Sequence, residues 1–130
     1  MHIEEVMSFI ADDIELNSKI KGKTIEGAAS SLTMFTLNFD DGSGMLVQVT
    51  GDPTNPQIHS QLMSADELPS IGDAVCKIEW AWIASSKIES VQNITGSIKF
   101  QLAPAGPLTI MAQVWNGSLF LSFMPYKAAN

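Results

Sequence analysis

The residues best suited to proton transfer in this chain are one histidine and the carboxylates near it. His59 lies seven residues after Asp52 and seven residues before Asp66, which Glu67 follows directly. A histidine paired with a carboxylate can act as a general base when the two groups touch and the imidazole pKa suits the working pH. Spacing along the chain does not establish that contact, so we predict no catalytic residue. A small enzyme that uses His59 with an acidic partner is kept as the second alternative function.

Metal-ligand patterns are not recognisable in the sequence. His59 and Cys76, the single cysteine, do not have the spacing of a zinc site. The segment from Asp40 to Gly44 resembles a calcium loop, but it lacks the alternating acids and the terminal glutamate that such a loop needs. Aspartate followed by glycine is typical of a hairpin turn. We therefore predict no metal and no cofactor.

Two tryptophans lie close together in an apolar segment. Trp80 and Trp82 belong to an alternating pattern that runs from Ala74 to Ile83. Alternate residues of a strand project from the same face, so the pattern predicts a strand with both indole rings on one side. The rings would then lie in the core, in a pocket wall or in a subunit contact, where tryptophan is favoured for its area and its N–H.

The strongest local signal is Asn116-Gly117 between two apolar runs, which predicts a hairpin with a two-residue turn. In this register one face is wholly apolar and carries the pairs Val114/Leu119, Ala112/Leu121 and Ile110/Phe123. The opposite face mixes large apolar and uncharged polar side chains and carries no charge, which is unusual for a strand surface in water. The residues predicted to bind a ligand or a subunit are therefore Trp80, Trp82, Met111, Gln113, Trp115, Phe120 and Met124.

A second hairpin is predicted around the turn at Asp40–Gly44. Pairing Phe39 with Met45 closes this loop and also places the large apolar side chains of both strands on the same face of the hairpin. One face then carries only large apolar residues, namely Phe35, Leu37, Phe39, Met45, Val47 and Val49.

The same hairpin carries a family resemblance. The pattern Leu37-x-Phe39-Asp40-Asp41-Gly42 and the alternation after it resemble hairpins of small, uncharacterised bacterial β-rich proteins, including immunity-type and mobile gene-cassette proteins. The resemblance covers about twenty residues, with an echo near Asn116-Gly117. It contains no functional motif, so it implies no binding residue.

The whole pattern predicts an α+β fold that is mainly antiparallel. Apolar residues at steps of three and four predict an amphipathic helix over about 3–16, and two-residue alternation predicts a β-rich region over 19–126. The helix would pack on a curved seven- or eight-stranded sheet or open barrel within a single domain, 1–130.

The two hairpins also predict a pair of pseudo-repeated β-meanders. Gly42 and Gly117 mark their turns, 75 residues apart. This alignment makes the core positions correspond as Phe35/Ile110, Leu37/Ala112 and Phe39/Val114.

The charge balance limits the classes of partner that this protein is expected to bind. Fourteen carboxylates face seven cationic side chains, all of them lysine, for a formal net charge of −7. Arginine is the preferred donor to phosphates and base edges, so its absence argues against nucleic acid and against an anionic membrane surface. Neither a signal-peptide pattern nor a membrane-length apolar run is evident, so we expect a cytoplasmic protein.

These observations favour a non-enzymatic binding module. Only 16% of the residues are charged, so apolar surface must be covered by a subunit or enclosed in a cavity. We predict a homodimer that acts through protein–protein contacts on the uncharged strand face, and the acidic surface also favours basic protein partners. The first alternative is a carrier or sensor of a small apolar ligand, with a pocket between helix and sheet lined by Trp80 and Trp82.

Overall fold

The computed structural model describes residues 14–71 and 78–127. A helix, α1, occupies residues 14–20, and residues 3–13 of the predicted helix lie outside the described residues. Eight strands follow within these described residues: β1 (Ile25–Ser30), β2 (Met34–Phe39), β3 (Ser43–Asp52), β4 (Asn55–Ser64), β5 (Lys87–Ile94), β6 (Ser97–Ala103), β7 (Gly106–Trp115) and β8 (Ser118–Met124). The described residues between β4 and β5 include two short 3₁₀ turns, Ala65–Glu67 and Ala81–Ile83.

The strands form two four-stranded antiparallel sheets, each a meander in chain order, β1 to β4 and β5 to β8. The predicted α+β, mainly antiparallel class is confirmed, but the single seven- or eight-stranded sheet or open barrel is wrong. The sheets separate after Ser64, because a 3₁₀ turn and then Pro69 carry the chain away from β4 instead of into a hairpin. β4 and β8 consequently remain edge strands.

The two meanders repeat each other at an interval of 63 residues. Every pairing register of the first sheet recurs in the second, including the β-bulge that follows Ile25 on β1 and Ile88 on β5. The starts of β1 and β5 meet at an isolated antiparallel bridge between Thr24 and Lys87. Four N–H to C=O bonds of 2.8–3.0 Å flank it: Gly22 to Ile88, Ser85 to Ile25, Ile25 to Ser86 and Ile88 to Lys23.

If each residue is replaced by the one 63 positions away in the other half, the first bond becomes the second and the third becomes the fourth. This exchange places an approximate two-fold axis at the bridge. A repeat of two meanders is therefore present, but the predicted correspondence is wrong. It aligned the turns at Gly42 and Gly117, whereas the structure aligns β2 with β6 and the turn at Gly117 with that at Thr54. The equivalent core pairs are Phe35/Ile98, Leu37/Phe100 and Phe39/Leu102.

The β7–β8 hairpin has the predicted register, from Trp115 opposite Ser118 to Ile110 opposite Phe123. Its turn needs two residues with positive φ, and Asn116 and Gly117 have φ of 50° and 75°.

The β2–β3 hairpin has the predicted faces but a register two residues away, with Leu37 opposite Met45. The chain bends at Asp40–Asp41, where the Gly42 N–H donates to the Phe39 carbonyl at 3.3 Å. A shift of two residues keeps every side chain on its face, so the sorting into a buried face survives.

The predicted strand from Ala74 to Ile83 is wrong over residues 80–83. Trp80 has helical backbone angles, φ −109° and ψ −2°, and Ala81–Ile83 form a 3₁₀ turn. The Glu79 carboxylate accepts a bond from the Ala81 N–H at 2.7 Å, which stabilises this turn over an extended chain.

One hydrophobic core joins the inner faces of both sheets. Alternate residues of β2, β3, β6 and β7 supply most of it, and Ile20 of α1 and Ile83 complete it at positions 63 apart. The core ends before the tip of the β7–β8 hairpin, where Val114 is 37% exposed.

Candidate functional site

Trp80 belongs to the core, and it lines neither of the two clefts described below. Its side chain is 7% exposed, and its ring lies 4.8 Å from Phe35 and 5.2 Å from Phe123 between centroids. The indole N–H donates to the Ser30 hydroxyl at 2.9 Å, so burial leaves its polar group satisfied. Trp80 therefore joins the two sheets, since Phe35 and Phe123 come from different ones.

Trp82 packs against Trp80 and is less buried than Trp80. The two rings stack with centroids 6.4 Å apart and planes 22° apart. The Lys127 ammonium lies 4.5 Å from the Trp82 centroid, a cation–π distance. The Trp82 indole nitrogen is buried and has no hydrogen-bond partner within the part of the chain that the structure describes.

The other predicted site residues lie together on one strand surface, which we call the β7–β8 outer face. Its eight residues are Thr109, Met111, Gln113 and Trp115 of β7 and Ser118, Phe120, Ser122 and Met124 of β8. None of them is charged. Trp115 is 71% exposed and Met124 is 62% exposed, while Met111, Gln113 and Phe120 are half-buried. Tryptophan and methionine this exposed are typical of a surface that contacts another molecule.

One end of the equivalent face of the first sheet is covered by its own chain, whereas most of that face is exposed, namely at Asp52, Asn55, His59 and Gln61. Leu68, which follows the first 3₁₀ turn, packs so closely over Gly44 that a Cβ added there would lie 2.6 Å from its Cδ1. Beside this contact Leu46 is 7% exposed and Thr36 is 5% exposed, although both point away from the core.

An apolar cleft of about 340 Å³ opens along the outer edge of β8. Its wall consists of Ser31, Leu32, Ile78, Phe120, Leu121, Ser122, Phe123 and Tyr126. The Ser122 hydroxyl is buried there with no hydrogen-bond partner among the described residues. Phe120 is the one predicted site residue in this cleft.

A larger cleft of about 450 Å³ opens along the outer edge of β4, and we call it the helix-side cleft. It is lined by Glu15, Leu16 and Lys19 of α1, by Gln57, Ile58, His59, Ser60 and Leu62 of β4, and by Asn93, Ile94, Thr95, Gly96 and Ser97 of the β5–β6 turn. This is the place where a pocket between helix and sheet was predicted, but neither Trp80 nor Trp82 lines it.

The two clefts are the same place in the two halves of the repeat. Lining residues correspond at 63-residue intervals, as Glu15/Ile78, Gln57/Phe120, Ile58/Leu121, His59/Ser122, Ser60/Phe123, Ile94/Ser31 and Thr95/Leu32. The helix-side cleft carries a charge pair, because the Lys19 ammonium lies 2.9 Å from the Glu15 carboxylate. The hydrogen bond from the Lys19 side chain and, to a smaller extent, the positive charge of Lys19 hold the pKa of Glu15 below its usual value.

His59 is exposed at the rim of the helix-side cleft. No carboxylate accepts a hydrogen bond from its ring within residues 14–71 and 78–127. The Asp52 carboxylate instead accepts bonds from the N–H groups of Thr54, at 2.9 Å, and Asn55, at 3.1 Å. Among the described residues, His59 is therefore not paired with a carboxylate as general-base chemistry requires.

The described residues contain neither a metal-ligand cluster nor a membrane-spanning helix. No three of their histidine, cysteine, aspartate and glutamate side chains come together as a metal site, and Cys76 lies outside the described residues. Within the same residues, no helix has the length and apolar character required to cross a membrane.

The two clefts were not found from the sequence, because each combines strands and turns from both halves of the chain. The sequence does contain one indication of the cleft at the β4 edge, because residues 55–64 include no Asp, Glu or Lys. Comparisons with protein-family models, with curated proteins and with solved structures gave no match for this chain.

Proposed function

We propose that this protein is a non-enzymatic interaction module that pairs with a second copy of itself through the β7–β8 outer face. The observation that carries the proposal is the exposure of Trp115 and Met124, 71% and 62%, on a strand surface without charge. Interface cores are enriched in aromatic residues and methionine and depleted of charge, which is the composition of this face.

Electrostatics favours this face over the rest of the surface for self-association. With a net charge of −7, two copies repel each other wherever carboxylates meet. The β7–β8 outer face brings no carboxylate to such a contact, and Lys99 lies beside it on β6, opposite Thr109. Burial of Trp115 then contributes at about 25 cal/mol per Å² of apolar area without a charge penalty.

The test is the molar mass by size-exclusion chromatography with light scattering over a range of protein concentrations. We expect a dimer for the native chain and an association about tenfold weaker or more for Trp115→Lys, because a charge would enter an apolar contact. Ile14→Lys is the matched control, since Ile14 is 65% exposed on α1 and the change adds the same charge. A native chain that stays monomeric at the highest concentration contradicts the proposal.

Salt separates self-association from binding of a basic partner. Screening weakens the repulsion between two acidic copies, so raising the salt concentration is expected to strengthen the dimer. Binding of a basic protein steered by the acidic surface weakens under the same change. Association that falls with salt would therefore favour the basic partner.

The apolar cleft supports a second candidate, a carrier or sensor of a small apolar ligand. Its volume of about 340 Å³ is at the lower end for small-molecule sites, and the buried Ser122 hydroxyl supplies one polar group. A ligand that binds only the native state raises the melting temperature, and decanol is a suitable probe. Leu32→Trp would fill the cleft and abolish that rise, whereas Thr95→Trp, at the equivalent position of the helix-side cleft, would not.

A further inference from the structure

β4 is an unusual edge strand because most of its length lacks the residues that discourage pairing. It spans ten residues, Asn55–Ser64, and carries no Asp, Glu or Lys. Natural edge strands are commonly short, or they carry lysine, proline or a bulge, because unpaired backbone groups attract other strands. In β4 one proline, Pro56, stands near the start, and the six residues from Ile58 to Met63 are unprotected.

The pairing register shows which backbone groups of β4 face outward. In an antiparallel ladder the N–H and C=O of one residue point to the same side. The Val49 N–H donates to Thr33, on the β2 side, at 3.1 Å, so Ile58 opposite Val49 directs its groups away from β3. The Ala65 N–H, which donates to the Gly42 carbonyl at 2.9 Å, gives the same alternation. The outward positions of β4 are therefore Pro56, Ile58, Ser60, Leu62 and Ser64.

The second half of the molecule shows what such an edge accepts. Leu121 of β8 is equivalent to Ile58, and its outward N–H donates to the Leu32 carbonyl at 2.7 Å. That acceptor lies in the turn between β1 and β2, so a stretch of polypeptide from the other half already sits against the β8 edge. The equivalent bond, from Ile58 to Thr95, does not form, although the structure describes both residues. At this point the helix-side cleft opens instead.

We propose that the helix-side cleft binds an extended peptide of another protein, which adds a strand to the edge of β4. The cleft follows β4 from Gln57 to Leu62, a length of about 17 Å at the usual rise per residue, which suits a peptide of five or six residues. Main-chain hydrogen bonds to outward groups give affinity in this mode, and side-chain pockets give specificity.

The walls of the cleft define the peptide's chemistry. Leu16 of α1 and Ile58 and Leu62 of β4 face the core side, where the peptide would place apolar side chains. The one charge pair in the wall, Lys19 with Glu15, is internally neutral, so the peptide needs no particular charge. The site is separate from the β7–β8 outer face and does not depend on the dimer proposed there.

The test uses a synthetic peptide of alternating threonine and valine, with one lysine at each end for solubility, and amide hydrogen exchange followed by NMR. We expect the peptide to slow exchange of the Ser60 and Leu62 amides by about tenfold or more, because these N–H groups gain an acceptor. The amides of His59 and Gln61, which already face β3, would change little.

Two variants of one residue make the test specific. Ser60→Pro removes an outward N–H at a position equivalent in orientation to Pro56, so the strand tolerates it, and it should weaken peptide binding about tenfold or more. Ser60→Ala keeps the N–H and should bind within about twofold of the native chain. A peptide N-methylated on every valine, which cannot donate along one edge, should not bind.

Three results overturn the proposal. Equal peptide affinity of Ser60→Pro and Ser60→Ala would show that the outward N–H plays no part. Protection at β8 rather than β4 would place the peptide in the apolar cleft. Protection of Ser60 without peptide, lost on dilution, would show that a second copy of this chain occupies the edge.

Discussion

The two sheets differ in the chemistry of their outer faces and in the segments that contact their edge strands. The outer face of the first sheet is covered at one end, where Leu68 packs over Gly44, and is exposed at the other, and its edge strand β4 lines the helix-side cleft. The second sheet has an uncovered outer face around Trp115, and its edge strand is contacted by Leu32. The hydrogen-bond registers of the sheets are the same, so the difference comes from the turns and connections around them.

The comparison shows how one repeated framework provides two kinds of surface. The strand ladders determine where a cleft opens, since both clefts lie between an edge strand and a turn of the other half. The side chains at equivalent positions determine its chemistry, as with His59 in one cleft and Ser122 in the other. A repeat can thus keep its core while each half presents a different surface.

The largest expected effect concerns the core that the halves share. Phe35 is fully buried and contacts Trp80 and Phe123, so Phe35→Ala should lower the free energy of unfolding by about 4 kcal/mol. Ile98→Ala, at the equivalent position, should cost about 3 kcal/mol because a smaller side chain is removed. Urea unfolding measures both changes. Leu32→Ala is the control, because Leu32 is 43% exposed. If Phe35→Ala lowered the free energy of unfolding by no more than this control does, a shared core would be contradicted.

The covering of the first sheet can be disturbed at Gly44. Its added Cβ would lie 2.6 Å from Leu68 Cδ1 and 3.1 Å from the Leu37 carbonyl oxygen, so Gly44→Ala should cost about 2 kcal/mol through overpacking. Combining it with Leu68→Ala should cost less than the sum of the single changes, because one clash is relieved. Gly27→Ala is the matched control, since nothing lies within 4 Å of its added Cβ. Additive costs in urea unfolding would show that Leu68 does not cover this face.

Local chemistry was enough to predict the β7–β8 hairpin. Asn116 and Gly117 both adopt the positive φ that a two-residue turn requires. The preference of Asn-Gly for this turn does not depend on the rest of the chain. The uncharged face that carries Met111 and Trp115 followed from that register alone. At the β2–β3 turn, by contrast, several residues tolerate a bend. The turn is therefore centred at Asp40–Asp41 and not at Gly42 as predicted.

The parts that the sequence did not predict depend on contacts between distant segments. Trp80 alternates like a strand residue, but its packing on Phe35 and its bond to Ser30 are compatible with a turn. The 63-residue repeat keeps few residue identities, among them Ile25/Ile88, because a ladder needs apolar alternation and not particular side chains. The division into two sheets depends on where the chain leaves β4, and a 3₁₀ turn of three residues has a weak sequence signal.

A smaller effect separates the equivalent turns at the sheet ends. Gly117 has φ of 75°, which an L side chain adopts at a cost, so Gly117→Ala should lower the free energy of unfolding by about 1 kcal/mol. The equivalent turn in the first sheet relies instead on the Asp52 carboxylate, which accepts bonds from Thr54 and Asn55. Ser118→Ala, next to Gly117 and exposed, is the control in urea unfolding. Equal small costs for the two variants would mean that the turn conformation is not required.

Acid should reveal a contact that only the first half possesses. The Asp41 carboxylate accepts hydrogen bonds from the Lys23 ammonium and from the Ser43 hydroxyl and N–H, and these bonds, the Lys23 bond most, hold the pKa of Asp41 far below its ordinary value. A lowered folded-state pKa means that this stabilisation is present above the ordinary carboxyl pKa of about 3.9 and is lost as the pH falls toward the folded value.

The second half has Pro104 and Ser86 at the equivalent positions, which cannot form this pair. Asp41→Asn should therefore lower stability at neutral pH and flatten its decline between about pH 5 and pH 2 in urea unfolding. Glu26→Gln is the control, because it removes one charge from a carboxylate that makes no bond or ion pair with the described residues. A decline as steep in Asp41→Asn as in the native chain would show that the ion pair does not distinguish the two halves.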